Sequence, residues 1–109
     1  MSGGAVNPAR GEAALDLGGE TLVLRPSFAA LVAAEEELGP LFALVERAAD
    51  GKLTLAELVG LFWHCLVDRE ALHGRGLSRE ALGEALLAAG LARATPVLKA
   101  ILQQILAGR

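Results

Sequence analysis

The stretch Leu53–Glu70, LTLAELVGLFWHCLVDRE, decides how the rest of the chain must fold. Thr54 and Glu57 stand three residues apart ahead of an apolar run. This is the spacing of a capping box, in which each side chain accepts a hydrogen bond from the backbone amide of the other residue. Apolar residues then cover most of the circumference of the predicted helix. The stripe without large apolar side chains is narrow and consists of Glu57, Gly60, His64 and Asp68. We therefore expect the other elements to pack around this helix.

A β-hairpin is predicted ahead of the central helix. Residues 12–25, EAALDLGGETLVLR, form two alternating runs joined by two glycines. A Gly-Gly pair suits a two-residue primed turn, because both positions adopt positive φ without strain. The resulting register places Leu15 opposite Leu22 and Leu17 opposite Glu20. The apolar face holds Ala13, Leu15, Leu17, Leu22 and Leu24. A lone hairpin is only marginally stable, so this face should rest on helices.

Capping and terminating residues predict four more helices. Their starts are Ser27, Pro40, Ser78 and the pair Thr95-Pro96. Their ends are Gly39, about Asp50, Gly90 and the chain terminus. Residues 71–77, ALHGRGL, are interpreted as a glycine-broken loop. The inner face predicted for the first helix consists of Phe28, Leu31, Val32 and Leu38, and that of the Ser78 helix of Leu82, Ala85, Leu86 and Ala89.

These elements predict a mainly α fold, with a short N-terminal β-hairpin followed by a compact bundle of about five helices. Residues 1–11 mix Gly, Pro and small polar residues and are expected to be a flexible arm, and residues 12–109 a single domain. The composition agrees with helices, since it is 53% hydrophobic but only 4% aromatic, with Ala and Leu supplying most of the apolar residues.

Charge and hydropathy narrow the classes of function. The formal net charge is −3 and no Lys/Arg run occurs, which disfavours a nucleic-acid partner. A helix-turn-helix over Ser78–Leu106 is disfavoured because Arg79, Arg93 and Lys99 are few and scattered. No stretch reaches the ~20 apolar residues of a membrane span, and no signal-peptide core is present. We expect a cytoplasmic protein without membrane or nucleic-acid partners.

Two patterns suggest a metal site, and both are incomplete. Residues 46–57, ERAADGKLTLAE, match a calcium loop at Asp50, Gly51 and Glu57 but lack suitable oxygen ligands at the first and third positions. His64 and Cys65 are adjacent on a helix and point about 100° apart, so they do not readily share an ion. Nucleophile and phosphate-loop signatures are absent. We expect no metal, no cofactor and no enzymatic activity.

Two surfaces are candidates for binding other proteins. The last helix carries a double row of aliphatic residues, from which Leu98, Ile101, Leu102, Ile105 and Leu106 are predicted to bind a partner or a second copy of the chain. The alternative is that this row is simply core. Glu35, Glu36 and Glu37 occupy the last turn of a helix, where the dipole disfavours negative charge. They form either a contact for a basic partner or a solvated face.

The order of elements resembles a known family over residues 11–108. The segments that carry the resemblance are GEAALDLGGETLVLRPSFAAL (11–31), EEELG (35–39), ERAADGKLTLAELVGLFWHCL (46–66) and GLSREALGEALLAAGL (76–91). The Leu-Arg-Pro-Ser-Phe junction is the most characteristic piece. Together these segments resemble the gene transfer agent/phage tail assembly chaperone family, whose members are sometimes labelled tail tube proteins.

The resemblance implies a non-enzymatic assembly factor without cofactors. Such proteins hold the long, aggregation-prone tape measure protein soluble and help tail tube subunits to polymerise around it. The implied partners are therefore the tape measure protein and tail tube subunits. The alternative is a structural tail subunit that stays in the particle. The short hairpin disfavours the alternative, because tube subunits need long strands to build a continuous sheet.

Overall fold

The computed structural model describes residues 11–108, which form one antiparallel hairpin and six α-helices. The strands are β1 (Ala13–Leu17) and β2 (Glu20–Leu24). The helices are α1 (Phe28–Leu38), α2 (Leu41–Ala49), α3 (Leu55–Cys65), α4 (Arg69–Gly74), α5 (Arg79–Ala89) and α6 (Leu91–Ala107). The mainly α class with an N-terminal hairpin is confirmed, but the helices number six rather than five within these residues.

The hairpin has the predicted register. Leu15 pairs with Leu22, and Leu17 pairs with Glu20. Gly18 and Gly19 have φ values of 56° and 80°, the positive values that a primed two-residue turn requires. The buried residues of the hairpin are Leu15, Leu17, Leu22 and Leu24. β1 packs against α5 and α6, so the apolar face of the hairpin forms one wall of the core as expected.

Helix α3 lies at the centre of the fold. The Thr54 hydroxyl accepts from the Glu57 amide at 3.1 Å, and the Glu57 carboxylate accepts from the Thr54 amide at 3.0 Å, which confirms the capping box. The helix packs against α1 and α5. Its buried residues are Val59, Gly60, Leu61, Phe62 and Cys65. Phe62 has the largest apolar side chain of these residues and is fully buried, so it anchors the core.

Gly60 and His64, in the middle of the narrow stripe, lie against helix α1. Gly60 is buried, and a Cβ placed on it would lie 3.2 Å from Cδ2 of Leu38 on α1. His64, one turn further along, bonds to Glu37 at the end of α1. The absence of a side chain at Gly60 therefore lets the two helices approach closely.

The predicted continuation of the central helix to Glu70 is wrong, because α3 ends at Cys65. Leu66 has ψ 128° and pairs with Leu24 of β2 as an isolated bridge. The Val67 amide donates to the Val23 carbonyl at 2.9 Å, on the edge of β2 that does not pair with β1. Asp68 then adopts a left-handed conformation with φ 58°. The backbone at Leu66 and Val67 thus pairs with β2, a contact that helical periodicity does not reveal. The loop predicted over 71–77 is also wrong in part, because it contains most of helix α4.

The last helix begins earlier than Thr95-Pro96. Helix α6 starts at Leu91, directly after Gly90, and Pro96 lies inside it. Gly90 has φ 94°, and the chain bends by 116° there between α5 and α6. The extra turn is held by the core, since Ala94 is buried. Pro96 therefore lies in the second turn of the helix rather than at its start.

Two predicted inner faces need correction. On α1, Phe28 is 86% exposed and Val32 is 36% exposed, whereas Ala34 is fully buried. The helix is rotated so that alanines meet the core, which allows its close approach to α3. On α5, Leu82 and Leu86 are buried as predicted, but Ala89 is exposed. Periodicity identified the apolar residues of α1 and α5, but contacts with the neighbouring elements determine which side of each helix is buried.

The predicted flexible arm, residues 1–11, lies outside the described residues except for Gly11. A Cβ on Gly11 would lie 2.7 Å from the Gln104 side chain, so this glycine sits against α6. Within residues 11–108 no single helix has the length and apolarity to cross a membrane, and α5 with α6 meets those criteria only as a bent pair.

Candidate protein-binding surfaces

The double row of aliphatic residues on α6 divides between core and surface. Ile101 is fully buried, so its side chain is not accessible for the predicted partner binding in this conformation. Leu98, Leu102 and Ile105 are half-buried. Leu106 is 63% exposed. The row that faces β1 and α5 is therefore structural, and partner binding by the outward residues stays a prediction.

The acidic turn Glu35, Glu36 and Glu37 makes more hydrogen bonds within the fold than its sequence suggested. A carboxylate oxygen of Glu35 accepts from the Leu41 amide at 3.0 Å and so serves the free amides at the start of α2. Glu37 accepts hydrogen bonds from Arg79 of α5, one of them at 2.9 Å, and bonds to His64 Nε2 at 2.7 Å. Glu36 is exposed and has no polar partner among residues 11–108. The predicted contact for a basic partner is thus reduced to one unengaged carboxylate.

Glu37 joins three helices at one end of the bundle. The hydrogen bonds from Arg79 and then from His64 lower the pKa of Glu37 to about 2. The same contact raises the pKa of Arg79. His64 Nδ1 is buried and has no hydrogen-bond partner among the described residues. Charge neutralisation by Arg79 offsets the unfavourable position of Glu37 at the negative end of the α1 dipole.

A groove between α3 and α5 is the surface that sequence analysis missed. It has a volume of about 800 Å³ and is open to solvent. Its apolar lining consists of Leu38, Leu55, Ala56, Val59, Gly83 and Leu87. Its charged lining consists of Glu37, Glu57, Arg79, Glu80 and Glu84. We call this surface the α3–α5 groove.

The α3–α5 groove combines close helix packing with exposed leucines. A Cβ on Gly83 would lie 3.6 Å from the nearest Val59 methyl group, so the two helices are close where these residues meet. Leu55 on α3 is 41% exposed and Leu87 on α5 is 54% exposed. Leu87 is a large apolar residue that lies outside the inner face predicted for α5. Its position was the signal in the sequence that this helix has an apolar outer surface.

Glu57 and Cys65, which belong to the incomplete metal patterns, have structural roles in the fold. The Glu57 carboxylate accepts from the Thr54 amide and pairs with Arg47, and these contacts lower its pKa in that order of importance. Cys65 is buried, which raises the pKa of its thiol to about 12. Among residues 11–108, no three His, Cys, Asp or Glu side chains lie close enough to hold a metal ion together.

Within residues 11–108 these features define a small, mainly helical domain that carries large apolar side chains on its outer surface. The chain belongs to the family described as phage tail tube protein, GTA-gp10, whose model matches residues 10–108. The resemblance to a gene transfer agent/phage tail protein family is thereby confirmed. No curated protein and no solved structure shows significant similarity to the chain.

Proposed function

We propose that the protein is a non-enzymatic chaperone of phage-like tail assembly, which binds apolar helical segments of the tape measure protein and assists assembly of the tail tube. The observation that carries this proposal is a set of large apolar side chains left outside a complete core. These are Phe28, Val32, Phe42, Leu55, Leu87, Leu91 and Leu106. Single exposed leucines are common in proteins, but Leu55 and Leu87 share one groove.

Exposed apolar residues on packed helices suit reversible binding of helices. Burying a leucine or phenylalanine side chain contributes roughly 1.5–3 kcal/mol, so a few anchors hold a client helix. Part of that gain is lost to the entropy of association, which keeps such contacts weak enough for displacement. Two surfaces are candidates for this role, the outward residues of α6 and the α3–α5 groove.

A structural tail subunit is the second candidate function, and the family description fits it equally well. In that case the protein would remain in the particle. The hairpin supports the chaperone instead, because its strands have only five residues each and its apolar face is closed by helices. The second edge of β2 is also occupied by Leu66 and Val67. Extension of the sheet from this edge of β2 into a tube wall would require this arrangement to open.

Co-expression with the tape measure protein of the same tail tests the proposal. We expect a larger soluble fraction of tape measure protein with the chain than without it, and a complex that survives purification. We also expect purified particles to lack the chain. An unchanged soluble fraction without a complex would refute the chaperone role, and stoichiometric amounts in particles would establish the structural subunit.

A further inference from the structure

We propose that the α3–α5 groove is the client site, and that its occupant is one amphipathic helix of a partner protein with a narrow apolar stripe and Lys or Arg on its flanks. The inference rests on the proposed function for the identity of the natural client. It goes beyond that function in assigning the binding site and the chemistry of the bound segment.

The shape of the groove fits the side chains of a helix. The lining combines the smaller Ala56, Val59 and Gly83 with the larger, partly exposed Leu55 and Leu87. Small residues let an incoming backbone approach, while the two leucines contact the sides of an inserted apolar stripe. The volume of about 800 Å³ is open rather than enclosed, which favours a length of chain over a small ligand.

The charge of the groove selects the flanks of that helix. Glu80 and Glu84 are exposed, one turn apart on α5, and neither has a hydrogen-bond or ion-pair partner among residues 11–108. Like charges at this spacing repel each other. Arg79 is engaged by Glu37, so it does not neutralise them. A partner with Lys or Arg beside its apolar stripe would relieve this repulsion and gain complementary charge.

The groove is already formed in the free protein. Its α5 side is joined to α1 by the Arg79–Glu37 ion pair, and its α3 side is joined to the same carboxylate by His64. Thr54 and Ser78 cap the first turns of α3 and α5 through side-chain hydrogen bonds of 3.1 Å and 3.0 Å. Binding therefore orders few protein groups, which favours affinity from a small number of contacts.

The first test uses a synthetic amphipathic helix with leucines at i, i+3, i+4 and i+7 and lysines on both flanks. A second peptide replaces every lysine with glutamate. Fluorescence anisotropy with the full chain should show binding of the lysine peptide that weakens as salt rises, since exposed charges are screened beyond about 10 Å at 0.1 M. Equal binding of the two peptides, or binding of neither, would overturn the proposed occupant.

Matched variants locate the site. Leu87→Asp lies in the groove, and Leu106→Asp places the same change on α6 outside it at a similar exposure of 63% against 54%. We expect Leu87→Asp to weaken binding by about tenfold or more, and Leu106→Asp to leave it within about twofold. Circular dichroism should show both variants folded, since both side chains are largely exposed. The reverse order of effects would assign binding to α6 and refute the groove.

Charge reversal gives a second measure that does not depend on the apolar contacts. The double variant Glu80→Lys/Glu84→Lys should bind the glutamate peptide better than the lysine peptide. Glu70→Lys, an exposed position on α4 outside the groove, should keep the original preference. An unchanged preference in the double variant would refute the role of the acidic flank.

Pull-down of co-expressed tape measure protein separates this inference from the proposed function. If the unmodified chain does not retain the tape measure protein, the chaperone role fails whatever the peptides do. If the unmodified chain and Leu87→Asp retain it equally, the chaperone role stands and the groove assignment is wrong. Retention by the unmodified chain with loss in Leu87→Asp is the expected result.

Discussion

Replacing Gly60 with alanine measures how closely α1 approaches α3. The added Cβ would lie 3.2 Å from Cδ2 and 3.4 Å from Cδ1 of Leu38, which is tighter than ordinary van der Waals contact. Gly83→Ala is the matched control, because its Cβ would lie 3.6 Å and 3.8 Å from the methyl groups of Val59. Both glycines are inside helices of 11 residues, and neither has positive φ. The two substitutions therefore differ mainly in the space around the new methyl group.

The expected magnitudes follow from these distances. Alanine is favoured over glycine inside a helix by roughly 0.8–1 kcal/mol, and Gly83→Ala should increase the free energy of unfolding by about that amount. At Gly60 the same gain is offset because Leu38 must leave its preferred rotamer, at a cost of about 0.5–1.5 kcal/mol. The net effect at Gly60 should be near zero. For a domain of this size about 1 kcal/mol corresponds to a change of roughly 4–8 °C in Tm, so the two variants are readily distinguished.

Urea unfolding followed by far-ultraviolet circular dichroism gives the free energies, and equal m values in all three proteins serve as the control for two-state behaviour. Thermal unfolding gives an independent order of stability. If Gly60→Ala stabilises the protein as much as Gly83→Ala, then α1 and α3 are not in close contact at Leu38. Destabilisation by Gly83→Ala would contradict the space found between α5 and α3.

Three further outcomes test the local structure. Thr54→Ala removes one side of the capping box and should lower the free energy of unfolding by about 1 kcal/mol in the same urea assay; no change would mean that α3 does not depend on this cap. Because the pKa of Glu37 is lowered to about 2 from 4.5, its contribution to stability is present above pH 4.5 and is lost as pH falls toward 2. The stability difference between the unmodified protein and Glu37→Gln should therefore shrink over that range, and a constant difference would contradict the pairing with Arg79. Cys65, with a thiol pKa of about 12 in a buried site, should react with a disulfide reagent only on unfolding; rapid reaction of the native protein would show that the core around α3 opens.

Features set by neighbouring residues could be predicted from the sequence. The Gly18-Gly19 turn and the alternation on both sides determine the hairpin register, since a slip of one residue would turn the apolar face to solvent. The capping box at Thr54 and Glu57 depends on two residues three positions apart. Local rules were sufficient for these elements because every participating atom is close in sequence.

Predictions failed where a distant segment supplied the deciding contact. Leu66 leaves the helical conformation because it pairs with Leu24, more than forty residues earlier. Helix α6 begins at Leu91, ahead of Pro96, and Ala94 in its first turn is buried in the core. The acidic turn has its structural role because Arg79 and His64 come to Glu37 from other helices. None of these partners lies within the span that periodicity or capping patterns describe.

The sequence by itself determined the fold class, the buried central helix and the family to which the chain belongs, because these depend on the order of elements and on their local patterns. Only the tertiary structure decided which apolar residues remain outside. On α1, Phe28 belongs to the inner face that periodicity predicts, yet it is 86% exposed, whereas Ala34 is fully buried. Their difference arises from the rotation of α1 in its packing against α3, which places the alanine side of the helix on the core.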